Sequence, residues 1–289
     1  MGWKPDPIAG TMLTLMLASY GTGTWRAWRA AGWGRGVRVW EAGLFVAGWL
    51  TLAFATLSPL AMWAETLFSV HMTQHELLVV VVAPLIVAAR PMTALAWSVP
   101  RSWRMGQRWL RAINAVFTTL SAPLIAFSLH AVALWAWHLP ALYERAIGDN
   151  WIHALEHASF LMTACAFWAG LTQGRYGRLG YGMAFMYVFA TALHSGALGA
   201  LFTVAPSPLY HLYQVRAAAH GVNPLTDQQL AGVLMWVPAC ALLTVLALAL
   251  FAAWLGELER RNAQSRLSAF TPDRESAPAA VTHRLKVLR

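Results

Sequence analysis

Residues 69–89 read SVHMTQHELLVVVVAPLIVAA. From Leu77 onward the run is apolar, and the whole stretch is long enough to cross a hydrocarbon core, which takes roughly 20 residues of helix. Yet its first third carries His71, Gln74, His75 and Glu76. Each of these groups costs free energy in lipid unless something pairs with it, so polar residues at the head of a spanning helix read as a site. A helix turns about 100° per residue, which puts His71 and His75 about 40° apart and Met72 about 60° from His75. One helix face therefore carries all three.

The remainder of the chain has the same character. Of its 289 residues, 58% are hydrophobic and only 11% charged, whereas a soluble domain carries about 25% charged residues. Sixteen tryptophans, many beside apolar runs, match the aromatic belts at membrane–water interfaces. The expected fold is all-α, an integral membrane bundle of seven transmembrane helices. The spans fall at about 8–24, 38–57, 63–89, 118–139, 151–171, 181–205 and 228–256. The opening MGWKPDP and the apolar stretch after it lack a convincing cleavage site, so they are read as the first span and not as a signal peptide. Residues 1–256 form the transmembrane domain. Residues 257–289, rich in Ser, Ala, Pro and charge, read as a mostly disordered tail with a short helical extension. Cys165 and Cys240 lie in apolar segments and imply neither a disulfide framework nor a metal clip.

The formal charge of +9 is distributed by loop. Segments 25–38, 90–117, 172–180 and the tail after Gly256 hold 18 of the 21 lysines and arginines. Cytoplasmic loops carry the basic excess, so the N-terminus is expected outside and the C-terminus in the cytoplasm. An odd number of spans is required, and seven supplies it. This sorting accounts for the basic charge without nucleic acid as a partner; the lipid bilayer is the partner it implies. Segment 90–117 mixes Trp and Leu with arginines and reads as an amphipathic helix along the inner interface.

Nine of the ten histidines fall in the outer half of this arrangement, and only His283 does not. His153 and His157 repeat the i, i+4 spacing, with Glu156 about 60° from His153. Counted from the assumed outer helix ends, His71, His130 and His194 share a depth of roughly 13–16 Å, with His75 deeper. His138, His153 and His157 lie nearer the surface, so a mouth and a floor are expected. Imidazole is the commonest metal ligand, and a thioether such as Met72 adds a preference for Cu(I). Simpler readings exist for each piece. His130 or His194 alone suits a hydrogen bond between helices, and His153–His157 suits an interfacial pair in water.

Smaller features read structurally. Pro84 is expected to kink its helix, Ser195 and Gly199 to form a small-residue packing face, and Thr226 with Gln229 to form a capping box. Asp227 and Met235 are candidates to line the outer cavity. Tyr143, Tyr210 and Tyr213 fit the outer interface without a special role.

Five blocks in order carry a resemblance: HMTQHELLVVVVAPL (71–85), HAVALWAWHLPALYERA (130–146), WIHALEHASFL (151–161), LHSGALGALFTVAPSPLY (193–210) and TDQQLAGVLMWVP (226–238). The chain resembles the CtaG family of multi-spanning bacterial cytochrome c oxidase assembly factors, associated with caa-type oxidases. The resemblance covers about residues 35–256. It implies a non-enzymatic role in maturing the oxidase from the bacterial inner membrane, with copper, as Cu(I), delivered from the outer side. Oxidase subunits and a periplasmic copper donor are the implied partners. The motif positions correspond to His71, Met72, His75, His130, His138, His153, His157 and His194 as candidate ligands. Gln74, Glu156, Asp227, Gln228, Met235 and Trp236 are supporting positions. Glu76 departs from the pattern, where an apolar residue usually follows the histidine.

Three alternatives stay open beside copper. A haem held between two histidines of facing helices would draw on His71, His130 and His194, which are at suitable depth, and a metal-free scaffold would use the polar outer face to bind the oxidase. HALEH also matches the inverted zinc-protease pattern, but Asp227 is the only later outer acid available to complete such a site. A retinal-type receptor is excluded because the only lysines, Lys4 and Lys286, lie outside the helices.

Overall fold

A computed structural model of the chain describes residues 6–100, 102–172 and 180–270. Among the described residues every regular element is helical. In chain order they are α1 (Pro7–Ala31), α2 (Val39–Leu57), α3 (Pro59–Ala64), and a continuous helix made of α4 (Phe68–Glu76), a π-helical turn (Leu77–Val82) and α5 (Ala83–Ala88). Then follow α6 (Pro91–Ser98), α7 (Arg104–Leu120), α8 (Pro123–Trp137), α9 (Pro140–Gly148), α10 (Asn150–Thr172), α11 (Gly180–Val204), α12 (His211–Ala219) and α13 (Pro224–Phe270).

Four of the described helices are long and apolar enough to cross a membrane: Val39–Leu57, Phe68–Ala88, Gly180–Val204 and Pro224–Arg266. A fifth is added if the bent pair Met105–Leu120 and Pro123–Trp137 is one span. With 25 and 23 residues, α1 and α10 have the length but not the apolarity. In α10 the polar load includes His153, Glu156 and His157, so the histidine motif lowers the hydropathy of the helix that bears it.

The expected boundaries shift in three places. The segment expected at 118–139 is broken, because α7 ends at Leu120 and α8 leaves it at 83°. Pro123 opens α8, where its fixed φ and missing N–H suit the first turn. The segment expected from 63 starts at Phe68, the residues before it forming the separate short helix α3. At the far end α13 continues past 256 to Phe270, as the helical extension expected at the start of the tail. The cap of α13 also differs from expectation: Asn223 Oδ1 accepts from the Leu225 and Thr226 amides, so the helix starts before the Thr226 capping box.

Connections gather at two ends of the bundle. At one, the Tyr213 hydroxyl donates to the Ala64 carbonyl (2.7 Å), the Tyr210 hydroxyl to the His138 carbonyl (2.8 Å) and the His211 amide to Glu144 (2.7 Å). At the other, the Tyr20 hydroxyl donates to the Ala89 carbonyl (3.3 Å) and Arg26 to the Ser98 carbonyl (2.5 Å). There too Glu41 accepts from the Arg38 amide and faces the Arg90 guanidinium. The first end holds the histidine-bearing helix starts, and the second holds the arginine-rich loops.

Small residues set the contact between α11 and α13. A Cβ on Gly199 of α11 would stand 2.6 Å from the Trp236 Cβ, and one on Gly232 of α13 would stand 2.7 Å from the Gly199 carbonyl oxygen. The two backbones therefore touch, as small residues permit in membrane bundles. The π turn is also tied: the Trp168 indole of α10 donates to the Val79 carbonyl at 3.0 Å. A widened turn ahead of a proline frees carbonyls, and here a freed one becomes the peg that fixes α10 against the π turn.

Candidate metal centre

Two helices supply the centre, and both enter it from the same end. His71 is the third residue after Phe68 on α4, and His153 the third after Asn150 on α10; His75 and His157 each lie one turn further. Aligned this way, equivalent residues meet. Ring centroids are 5.3 Å apart for His71–His153 and 5.2 Å for His75–His157. Along each helix the spacings are 4.4 Å for His71–His75 and 4.3 Å for His153–His157.

Glu156, with no exposed surface, reaches in among them. Its Oε2 lies 3.9 Å from His71 Nε2 and its Oε1 3.7 Å from His75 Nε2, both beyond hydrogen-bond reach. His71 Nε2, both nitrogens of His75, His153 Nε2, His157 Nε2 and both Glu156 oxygens make no hydrogen bond among the described residues. Buried polar groups are nearly always paired, so five such side chains converging on one point describe a ligand site. Ligand atoms of His71, His75 and His157 lie within 4.8 Å of one another, and so do those of His71, His153 and Glu156. Metal–ligand bonds of about 2.0–2.2 Å place neighbouring ligands of one ion somewhat closer than this, within the reach of small ring rotations.

Neighbouring residues hold this geometry in place. Asp227 of α13 accepts from the Phe68 amide (2.7 Å), the Ser69 amide (3.3 Å) and the Ser69 hydroxyl (2.5 Å), capping the helix that carries His71. Gln74 turns away from the centre and donates to the Ala55 carbonyl of α2 at 2.6 Å. Gln228 accepts from the Leu209 amide and donates to the Ser207 carbonyl, bracing the segment between α11 and α12. Trp236 packs its Cβ against Gly199. These four residues act on the centre through the helices they fix.

Below the centre lies a cavity of about 50 Å³, lined by Met72, His75, Glu76, His130, His138 and Met235 among others. The His138 Nδ1 sits 2.6 Å from the Leu134 carbonyl, which makes it the protonated nitrogen and leaves Nε2, without a partner, as a lone pair. His130 Nδ1 pairs with the Thr163 hydroxyl at 3.1 Å. His194 stands edge-on to Phe127 of α8, and neither of its nitrogens is bonded among the described residues. Glu76 faces this cavity and not the His71 cluster.

The expected layers therefore change membership. His71 shares its level with His153, and His75 with His157, whereas His130 is seven residues below the end of α8 and His194 ten below the end of α11. The discrepancy has a simple origin: α4 begins at Phe68 and not near 63, which raises His71 toward the outer end by about 7–8 Å at 1.5 Å per residue.

The structure also adds residues that hydropathy left without a role. Tyr143, Tyr210 and Tyr213 do have a role: they are buried and roof the centre. Tyr143 stacks on Tyr210 with centroids 4.2 Å apart and meets the His71 ring edge-on at 5.4 Å. Burial, with smaller contributions from Tyr213, Glu156 and Tyr210, pushes the Tyr143 hydroxyl well above the ordinary tyrosine range. It thus stays a neutral phenol, a cover and not an anionic ligand. Phe68, edge-on to Tyr143 and Tyr210, completes the roof. The available signal was three tyrosines, each with a polar tip and an apolar body, on α9, on α12 and at the N-cap of α12.

The model of the cytochrome c oxidase caa3 assembly factor family matches residues 18–257. An uncharacterized protein of Mycobacterium leprae is 25% identical over 99% of this chain, and uncharacterized proteins of Mycobacterium bovis and Mycobacterium tuberculosis are each 26% identical over 81% of it. The chain spans 45% of the first relative's length and 36% of the other two. No solved structure matches. The chain belongs to the cytochrome c oxidase caa3 assembly factor family.

Proposed function

From that membership, we propose that the chain matures a caa3-type cytochrome c oxidase by binding Cu(I) at the outer side of the membrane and delivering it to the oxidase. The single observation carrying the metal part is the convergence of His71, His75, His153, His157 and Glu156, buried and without hydrogen bonds at the atoms they turn inward. Unpaired buried groups of this kind are costly, and a cation satisfies three of them at a time. Copper is favoured over a harder ion by what adjoins the cluster. His75 also lines the cavity that holds Met72 and Met235, and thioether sulfur prefers Cu(I).

The reading includes seven spans, with the N-terminus outside and the C-terminus in the cytoplasm of a bacterium with the chain in its inner membrane. Two observations support it. The basic loops gather at the bundle end opposite the histidines, and α1, which starts beside the His153 end, has a spanning length despite its polar content. The oxidase subunits are the acceptor, and a periplasmic donor supplies the ion.

Haem gains no support from the geometry. The clustered histidines stand 4.3–5.8 Å apart, ring centroid to centroid, which suits ligands of one small ion better than a porphyrin between them.

The test is metal content of detergent-purified protein loaded anaerobically with Cu(I), for wild type and His71→Ala/His75→Ala, alongside oxidase copper in cells lacking the gene. Stoichiometric copper in the wild type and none in the folded variant is expected. A wild type without copper, in cells whose oxidase still depends on it, would leave the scaffold role in its place.

A further inference from the structure

We infer that the centre is two overlapping three-ligand sites sharing His71, and that a single ion passes between them while His71 holds it throughout. This rests on the copper reading above and goes beyond it by assigning a path and a stoichiometry.

The argument starts from the sharing. One triad is His71, His153 and Glu156; the other is His71, His75 and His157. His71 alone belongs to both. A neutral imidazole offers one nitrogen lone pair; the Ala64 backbone lies beside the His71 ring, and Nε2 is the nitrogen that faces Glu156 without a hydrogen bond. An imidazole nitrogen has one in-plane lone pair and binds one ion. The two triads are thus alternatives, and one ion at a time occupies the pair.

Their order along the membrane normal gives the path. His153 is one helical turn nearer the outer end than His157, and Asp6 at the start of α1 lies close enough to it to interact electrostatically. His75 is one turn below His71 and lines the cavity with Met72, His138 and Met235. An ion entering at the outer triad moves inward by exchanging ligands. Its bonds to His153 and a Glu156 oxygen break, bonds to His75 and His157 form, and the bond to His71 persists. No electron is transferred and no proton is required, because each incoming ligand is a neutral imidazole with a free lone pair. The donor set changes along the way. The outer triad contains a carboxylate, whereas the inner triad is all imidazole and adjoins two thioethers, so softness increases inward.

The experiment is anaerobic Cu(I) titration of the full chain in detergent against a chromophoric Cu(I) chelator, with X-ray absorption on the loaded protein. Compared are wild type, His71→Ala, His71→Gln, the outer pair His153→Ala/Glu156→Gln and the inner pair His75→Ala/His157→Ala. One ion per chain is expected in wild type. Each pair variant should keep one ion, bound at least about tenfold more weakly. Both His71 variants should lose more affinity than either pair, with His71→Gln, which conserves a polar group toward Ala64, separating ligation from folding. Two ions per chain in wild type would overturn shared occupancy while leaving the copper reading intact, as would a His71→Gln protein that binds like wild type. A wild type that binds no Cu(I) would overturn both.

Discussion

The Asp227 carboxylate accepts from the Phe68 amide at 2.7 Å, joining the start of α13 to the start of the helix that carries His71 three residues later. The residues are 159 positions apart in sequence. This one contact lets the last helix set the height and rotation of the first histidine pair.

Removing that cap is the first prediction. Asp227→Ala leaves three donors on Phe68 and Ser69 without their acceptor, and lost N-caps cost about 0.5–2 kcal/mol. Thermal unfolding in detergent should show Asp227→Ala destabilised and its copper retention reduced, with Asp227→Asn intermediate, since an amide oxygen still accepts. Equal melting of Asp227→Ala and wild type would remove the positioning role.

The α11–α13 contact supports a sharper comparison. A methyl on Gly232 would meet Thr203 and the Gly199 carbonyl at 2.5–2.7 Å, whereas one on Gly10 meets nothing within 4 Å. Gly232→Ala should therefore destabilise by about 1–3 kcal/mol, as overpacking does. Gly10→Ala should be neutral or stabilising by up to about 1 kcal/mol from helix propensity. Melting curves of the two variants in the same detergent decide it, and a tolerant Gly232→Ala would mean the helices are not in backbone contact.

The roof can be opened in two steps. Tyr143→Phe keeps the ring that stacks on Tyr210 and covers His71, so copper release to a chelator should change little. Tyr143→Ala removes it, creating a void whose cost falls near the 3–5 kcal/mol range for large aromatics. Release should then accelerate severalfold. Stopped-flow chelator capture measures it, and identical rates for Phe and Ala variants would show that the roof does not gate the site.

Much of this was legible in the sequence, and what was not has physical causes. The helical class followed from apolar runs, and the two i, i+4 histidine pairs followed from helical period. Their meeting did not follow, because matching depths needs helix starts good to a residue or two, and Phe68 lies five residues inside the apolar segment. The break at Ser121 was hidden as well: Pro123 reads equally as a first-turn residue of a new helix or a kink within an old one. Asp227 looked like a cavity residue because nothing in a sequence tells a side chain that caps its own helix from one that caps another. The roofing role of the tyrosines was hidden for a related reason. An interfacial tyrosine and a roofing tyrosine have the same composition and differ only in what lies underneath.

Topology is the remaining expectation to test. The Arg26, Glu41 and Arg90 contacts put the basic connections at one end of the bundle, and the Tyr213–Ala64 and Asp227–Phe68 bonds put the histidine-bearing connections at the other. If the basic end is cytoplasmic, a cysteine at Ala219, exposed at the end of α12, should react with a membrane-impermeant maleimide in intact cells. One at Asn262, exposed on the extension of α13, should react only after lysis. Cys165 and Cys240 are replaced by serine in both variants to remove background. Labelling of Asn262→Cys in intact cells would reverse the orientation, and labelling of both from one side would require an even number of crossings between them.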